Sequence, residues 1–486
     1  MHASWHSQLL SETIPTCGHL AEYYNDYLVG LTSHFNPIQD KNPRINLSVP
    51  SNLLVSTNSA LVALQRIKQS KSCGPDLIPN KILKTFAFEL APVVCDIYNT
   101  SMKQGIFPQQ LKRSFVVPVP KLSPPVSIED DLRPISLTSQ IAKVMEDFSL
   151  RSLMGEIRDK IDRKQFAMPG KSTTQALVYL LHIILAALDA GHCFVRLFFA
   201  DFRKGFDLVD HNILIDELVN LNVHPVIIRW ITSFLTNRGQ CVRISRCTSS
   251  WKTVSGGLQQ GTKLGPILFA ILVNSLLKDW QGRIKFVDDT TAVEIIPRCS
   301  PSLLPIVVNE ISTFASNRGM ELNHKKCKEM VISFLKYDVA RLNTICVSGL
   351  PVQSVSSFKL LGFILSNDLT WNSHVEKINK KANSRLYALR QLKKAGLSKT
   401  DLVIIYCSLV QSVVEYAAPA GSNVTIYLSE LIETIQKRAL RIIYPSLTYE
   451  GALVHSGFRT LVARRKDLCK SFMHKDLIIS MLITIH

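Results

Sequence analysis

The sequence predicts an α+β fold, a layer of strands with helices packed against it, and not a doubly wound parallel sheet. Two stretches carry the prediction. Cys193-Phe-Val-Arg-Leu-Phe-Phe-Ala200 is rich in β-formers and stops abruptly at Asp201, as a buried strand does. Arg283-Ile-Lys-Phe-Val-Asp-Asp-Thr-Thr-Ala-Val-Glu-Ile-Ile296 reads as strand, tight turn, strand, with two acids at the tip. Helical patterns fall before, between and after these stretches without the regular alternation of a doubly wound sheet.

In chain order, residues 1–50 are mixed and polar, broken by Pro15, Pro37, Pro43 and Pro50, and show no domain. A helix starts near Ser56, with Ser56-Thr-Asn-Ser59 as its cap and Leu61, Leu64 and Ile67 on one face. It gives way to the turn Lys71-Ser-Cys-Gly-Pro-Asp76. A second helical stretch runs to about Lys103 and is interrupted by Gly105 and Pro108. Phe115-Val-Val-Pro-Val-Pro-Lys121 is extended, its prolines suiting an edge strand. Arg133-Pro-Ile-Ser-Leu137 closes that strand region, and a helix follows through Lys143 and Glu146. His211 to about Leu235 is helical with a break at Pro225. From Asn372 to Lys394, Val375, Ile378, Ala382, Leu386 and Leu389 share a face, with Gly396 as the stop. The same helix carries Lys377, Lys380, Lys381, Arg385, Arg390, Lys393 and Lys394 against a single acid, Glu376. Such a stripe is either a solvated face or a helix laid along a phosphate backbone.

At 486 residues, 46% hydrophobic and 19% charged, the chain is ordinary globular material, which excludes disordered and collagenous classes. Lys and Arg number 56 against 38 acids, a net charge of +18, which points to a polyanion and to nucleic acid before an anionic membrane. Eleven cysteines lie scattered from Cys17 to Cys469 with no CxxC, so free thiols in a reducing compartment are expected, with no cysteine metal site. The N-terminus lacks the pattern of a signal peptide. The longest apolar run, Ala176 to Leu188, is thirteen residues with His182 inside it, too short to span a bilayer. No membrane is expected as a partner, and the expected location is intracellular.

Three segments carry the chemistry: Ala200-Asp-Phe-Arg-Lys-Gly-Phe-Asp207, Gly256-Gly-Leu-Gln-Gln-Gly-Thr-Lys-Leu-Gly-Pro266 and Phe286-Val-Asp-Asp289. A carboxylate at the end of a buried strand, beside two at a hairpin tip, can hold a pair of divalent ions about 3.5–4 Å apart. Such a pair lowers the pKa of an attacking hydroxyl and neutralises a leaving pyrophosphate. Each signal alone is weak, since paired aspartates also build ordinary turns.

Taken together and in this order, the segments resemble motifs A, B and C of reverse transcriptases. The flanks agree with the non-LTR retrotransposon class: Lys71–Asp76, Arg133-Pro-Ile-Ser-Leu-Thr138 with Lys143 and Glu146, and Gln165-Phe-Ala-Met-Pro-Gly-Lys-Ser-Thr-Thr174. Gly319-Met-Glu-Leu-Asn-His-Lys-Lys-Cys-Lys328 is similar to motif D and Phe358-Lys-Leu-Leu-Gly362 to motif E, so the resemblance covers roughly residues 60 to 470. It implies a right-hand polymerase with fingers, a palm with an antiparallel sheet, and thumb helices. The implied division is an N-terminal extension at 1–55, fingers at 56–175, palm at 176–365, thumb at 366–447 and a C-terminal helical remnant at 448–486.

The resemblance implies Asp201 and Asp288 as direct ligands of two Mg²⁺ ions, with Mn²⁺ as a substitute and Asp289 supporting or joining them. Phe202 and Phe206 would border the nucleotide, Phe206 as the gate whose ring fills the space of a ribose 2′-OH. Gln260 and Gly261 would present an amide and bare backbone to nucleotide and template. Arg133 and Lys121 would clamp the triphosphate, and Lys326, flanked by Lys325 and Lys328, would protonate the pyrophosphate. Lys377, Lys380, Lys381 and Arg385 would track the duplex. Four positions depart from the family pattern: Ala167 for glycine, Gly205 for alanine, Gln259 for proline, and Val287 for alanine as a tolerated swap. Gly205 is expected to loosen the gate beside it by adding backbone freedom.

The function implied is RNA-directed DNA polymerisation for a non-LTR retrotransposon, with an RNA template, a DNA primer and dNTPs as partners and an endonuclease supplied in trans. The expected site of action is the nucleus or a cytoplasmic ribonucleoprotein. The chain reads as a fragment of an element's reading frame, for which autonomous transposition is not expected. The alternative is an inactive or domesticated relic that keeps the fold and binds nucleic acid. An RNA-directed RNA polymerase would share the carboxylates but is disfavoured by the aromatic at position 206.

Overall fold

The computed structural model describes residues 16–38, 48–122, 124–335 and 342–474. The leader-free reading of residues 1–15, the breakers Pro15 and Pro43, and the end of the C-terminal remnant lie outside the described residues. Helix α1 (Cys17–Gly30) precedes α2 (Thr57–Gln65), α3 (Asn80–Thr85) and α4 (Ala87–Gln104). Strands β1 (Arg113–Pro120) and β2 (Leu132–Thr138) follow, then α5 (Gln140–Ile157), α6 (Thr173–Ala190) and β3 (Cys193–Ala200). Next come α7 (His211–Asn220), α8 (Pro225–Leu235), β4 (Arg238–Ile244), β5 (Cys247–Thr248), β6 (Lys252–Val254) and α9 (Gly265–Leu272). The hairpin β7 (Arg283–Phe286) and β8 (Asp289–Pro297) leads to α10 (Leu304–Ser316) and β9 (Lys328–Ile332). Among the last helices are α11 (Asn372–Lys394), α12 (Lys399–Ile405), α13 (Ser412–Val414), α14 (Ile426–Ile443), α15 (Tyr449–Ser456) and α16 (Leu461–His474).

The α+β expectation holds. One sheet runs in the order Gln353–Ser354, β9, β3, β8, β7, with β3 antiparallel to both β8 and β9. All eight residues of β3 are buried, as the run of β-formers predicts. Helix α6 covers one face, packing Leu177, Leu180 and Ile184 with Val195, Leu197 and Phe199. The other face, with Phe198 and Ala200, joins the larger core built by α2, α4, α5 and α7–α10. A separate core ties α11 to α12 and α14 through Val375, Ala382, Leu386, Leu389, Leu402 and Ile435.

Three expectations are corrected. The Phe115–Lys121 strand is not simply an edge: β1 lies between β2 and β4, parallel to β4 over Arg113–Val116. Its prolines, Pro118 and Pro120, come after that pairing ends, where one side carries no ladder partner to lose. The apolar run at 176–188 belongs to an 18-residue helix, α6, which is long and apolar enough by composition to cross a membrane, yet 44% of that window is buried within the protein. Residues before Ser56 are also not featureless. Helix α1 is capped by Thr16, whose Oγ1 accepts from His19 N, and packs Ala21 and Tyr24 against Val116, Leu132 and Val242.

Candidate active site

Asp201 leaves the end of β3, the central strand of the five-stranded sheet that also holds β7, β8 and β9. The β3–β8 register sets Ala200 opposite Thr290, so Asp201 emerges beside Asp289, the first residue of β8. Val287 and Asp288 form the two-residue turn between the paired Phe286 and Asp289. Val287 takes φ +58°, a left-handed conformation in which a β-branched side chain is strained, so this substitution is less neutral than its size suggests. The turn is held from behind, where Gln165 Oε1 accepts from Val287 N at 3.2 Å and Phe166 N donates to Lys285 O at 2.7 Å. Lys285 is fully buried and donates to Val273 O, Asn274 O and Asp162, while Arg283 grips both Asp162 oxygens at 2.8 and 3.0 Å.

Burial raises all three carboxyls, and neighbouring carboxylate charge adds to it at Asp201 and Asp289. Burial raises Asp201, and the charge of Asp288 adds to it against the opposing pull of Lys326 and Lys121. Burial also raises Asp288, opposed by Arg133. Burial and then the charges of Asp288 and Asp201 hold Asp289 up to about 7. Asp288 and Asp289 nevertheless keep solvent access.

Asp201 and Asp288 line a cavity of about 480 Å³ together with Lys121, Arg133, Phe206, Gln260 and Lys326; Asp289 stands outside that lining. Burial lowers the Lys121 ammonium, and the charges of Lys326 and Arg133 lower it further, so three cations crowd one cavity. Lys326 reaches the cavity because its segment is tied to the first: Asn323 N donates to Asp201 O and Arg203 N to Glu321 O, both at 2.8 Å. Lys328 turns away, donating at 2.7 Å to Lys325 O and Gln353 Oε1.

Phe206 stacks on Phe269 with centroids 4.9 Å apart and planes 13° apart, while Phe202 is buried in the core although it borders the cavity. At Gly205 a Cβ would come within 3.3 Å of Phe202 Cβ and of the Phe269 ring, so this glycine acts through space more than through backbone freedom. Gly261, at φ +128°, would put a Cβ 2.5 Å from Ser136 O, and Ser136 N donates to Gln260 O at 2.7 Å. The middle segment is thereby seated on β2, and Gln260 Nε2 donates to Asp207 at 3.1 Å.

Lys377, Lys380 and Lys381 are exposed on α11, away from this cavity. Arg385 is not free to join them, since its Nη1 donates to Leu409 O. Sequence reasoning also missed residues of the site. Asp207 was visible, six residues after Asp201, but its burial and its bond to Gln260 have no sequence signal. Tyr24 and Tyr27 of α1 line the same cavity from a stretch with no readable pattern.

Among the described residues no three His, Cys, Asp or Glu side chains converge as a ready-made metal cage. The donor set still fits Mg²⁺, which takes one or two carboxylates and completes its shell with substrate phosphates and water. Asp289 is raised by burial first and then by the charges of Asp288 and Asp201, and a divalent ion relieves that second contribution.

The sequence profile described as "Reverse transcriptase (RNA-dependent DNA polymerase)" matches residues 119–365. A short match to "Alkylated DNA repair protein alkB homolog 8, N-terminal" falls on 371–412, over α11 and α12. The chain is 24% identical over 399 residues to the RNA-directed DNA polymerase from mobile element jockey of Drosophila funebris, covering 78% of the chain and 42% of that protein. With the probable RNA-directed DNA polymerase from transposon BS of Drosophila melanogaster it shares 24% over 81% of the chain and 45% of the relative. With that from transposon X-element, also of Drosophila melanogaster, it shares 22% over 91% and 50%. The chain thus spans half or less of these relatives' length. A solved telomerase from Candida albicans aligns over 76% of the chain and 65% of its own at 12% identity, with a TM-score of 0.36. By the profile match over more than half its length, and by the order of its three motifs, the chain belongs to the reverse transcriptase family.

Proposed function

We propose that the chain is an RNA-directed DNA polymerase of a non-LTR retrotransposon, adding dNTPs to a primer 3′-hydroxyl on an RNA template. The observation that carries this is the cavity itself, which Asp201, Asp288, Lys121, Arg133 and Lys326 line together, with Asp289 next to Asp288 in the chain and held up by the charges of Asp288 and Asp201 after burial. Two Mg²⁺ ions held by Asp201 and Asp288 would activate the primer hydroxyl and neutralise the departing pyrophosphate. The chain's own groups supply the rest. Arg133 and Lys121 draw the triphosphate in, and Arg133 opposes the charge of Asp288, so binding and acid placement are coupled. Lys326, which lines the same cavity, would give a proton to the leaving phosphate oxygen. Phe206, braced by Phe269, presents a fixed apolar surface to the sugar, leaving a ribose 2′-OH no partner. Gln260 is oriented by Asp207, and Gly261 keeps that backbone against β2.

The test is primer extension with RNA template, annealed DNA primer, dNTPs and Mg²⁺, beside a protein carrying Asp288→Asn and Asp289→Asn. Extension that vanishes in the double variant supports the polymerase. If neither protein extends the primer while both bind it with equal salt dependence, the chain is an inactive nucleic-acid-binding relic.

A further inference from the structure

We infer that helix α1 walls the nucleotide site and that Tyr27, with Lys204, holds the outer end of the incoming nucleotide's polyphosphate. This rests on the polymerase reading above. Tyr24, Tyr27, Leu28 and Leu31 line the same cavity as Asp201, Asp288, Lys121 and Arg133, so the N-terminal helix is part of the site and not an appendage.

The helix is built to stay in place. Asn25, fully buried, donates to Ser249 Oγ at 3.0 Å and Ser250 O at 2.9 Å and accepts from Gln240 Nε2 at 3.0 Å. Glu22 accepts from Ser250 N at 2.8 Å and pairs with Lys252 at 2.8 Å. Tyr23 donates to Glu129 at 2.6 Å. A wall pinned to β4–β6 in this way can position a ligand without being ordered by it.

Two groups facing that wall lack what their chemistry asks for. The Tyr27 hydroxyl is buried with no hydrogen-bond partner, although buried tyrosine hydroxyls ordinarily find one. The Lys204 ammonium, in the loop that carries Asp201, sits 4.4 Å from the centre of the Tyr27 ring, with Asp130 at 4.0 Å as its ion-pair partner. Its side chain is only 15% exposed, so water does little to complete its three donors. Both groups are donors, and Lys121, Arg133 and Lys326 line the cavity with them, as do the acids Glu129, Asp130 and Asp207. An acceptor-rich anion satisfies the donors. A base is a poor occupant, because Lys204 covers a face of the Tyr27 ring on which it would stack.

The experiment uses the full chain with Tyr27→Phe, which keeps the ring under Lys204, and Lys204→Met. Single-nucleotide addition gives KM and kcat for each of the four dNTPs; inorganic tripolyphosphate serves as a base-free competitor. Tyr27→Phe and Lys204→Met are each expected to raise KM by about tenfold or more, as expected for hydrogen bonds to a charged ligand. The increase should be equal for all four dNTPs, with kcat changed less than twofold, a matching loss of tripolyphosphate inhibition, and unchanged primer–template affinity. Constants within twofold of the parent for both variants overturn the inference. So does an increase that depends on the base, or one that appears in primer–template affinity instead. If the parent chain extends no primer, the polymerase reading falls, and tripolyphosphate-induced shifts in melting temperature then decide this one. A shift in the parent that shrinks in both variants upholds it, and a shift that is absent or unchanged sinks it.

Discussion

Asp207 is held up to about 6, chiefly by burial, with the Gln260 amide and the charges of Lys121 and Lys204 pulling the other way. Its folded value therefore lies above the unfolded one, so the folded state keeps the proton longer. The stability this confers is fully present below about pH 4 and is lost as pH rises through about 6, where the buried charge must be borne. Asp207→Asn removes that charge and keeps an acceptor for Gln260. It should stabilise the protein by about 3 kcal/mol at pH 8 and by well under about 1 kcal/mol at pH 4. Urea unfolding at the two pH values checks this, and equal stabilisation at both would mean that charge is not the cause. Gly261 makes the opposite kind of prediction. With its φ of +128° and Ser136 O only 2.5 Å from where a methyl group would sit, Gly261→Ala should cost about 3 kcal/mol and unseat Gln260 from β2. The resemblance implied bare backbone at Gly261 toward nucleotide and template; that its near neighbour is the Ser136 carbonyl of β2 has no sequence signal.

At the scale of elements, the hairpin that carries Asp288 and Asp289 is fixed by a buried charge group. Asp162 is held down to about 2: burial would raise it, but Arg283 and Lys285 outweigh that, while burial lowers Lys285 to about 8. Removing one member leaves the others charged and unpaired in the interior. Asp162→Ala should therefore cost about 3–5 kcal/mol in denaturant unfolding. A loss under about 1 kcal/mol would show that Val273 O and Asn274 O suffice to hold Lys285. None of this was legible beforehand, because Asp162 is more than a hundred residues from its partners and carries no pattern. The elements that were legible are those with one dominant signal: the run of β-formers in β3, the hairpin with its acids, and the amphipathic α11. Helix α1 escaped because its buried face is Ala21, Tyr24 and Asn25, so a core position is filled by an asparagine whose bonds are all long-range. The edge reading of β1 failed since strand order is a tertiary fact, and a proline bars a ladder only on the side where its nitrogen would donate.

For the whole molecule, a net charge of +18 predicts steeply salt-dependent binding to a primer–template, but only cations that are free to meet phosphate contribute to the slope. The structure sorts those on α11. Lys377 and Lys381 are exposed, and Lys380 pairs with Glu376 at 2.7 Å across an exposed helix face, a contact weak enough to be exchanged for phosphate. Arg385 is committed to Leu409 O on the neighbouring segment and serves packing. Replacing Lys377, Lys380 and Lys381 together by alanine should reduce the slope of log affinity against log salt by roughly two to three units, about one for each phosphate left without its lysine. The dNTP constants should not change, since none of the three lines the cavity. Arg385→Ala should leave the slope as it was and lower thermal stability instead. Filter binding between 50 and 300 mM salt, about the range over which such contacts dominate, separates the two outcomes. If Arg385→Ala flattens the slope as much as the lysine variants do, the guanidinium leaves Leu409 on binding and α11 meets nucleic acid along its whole basic stripe.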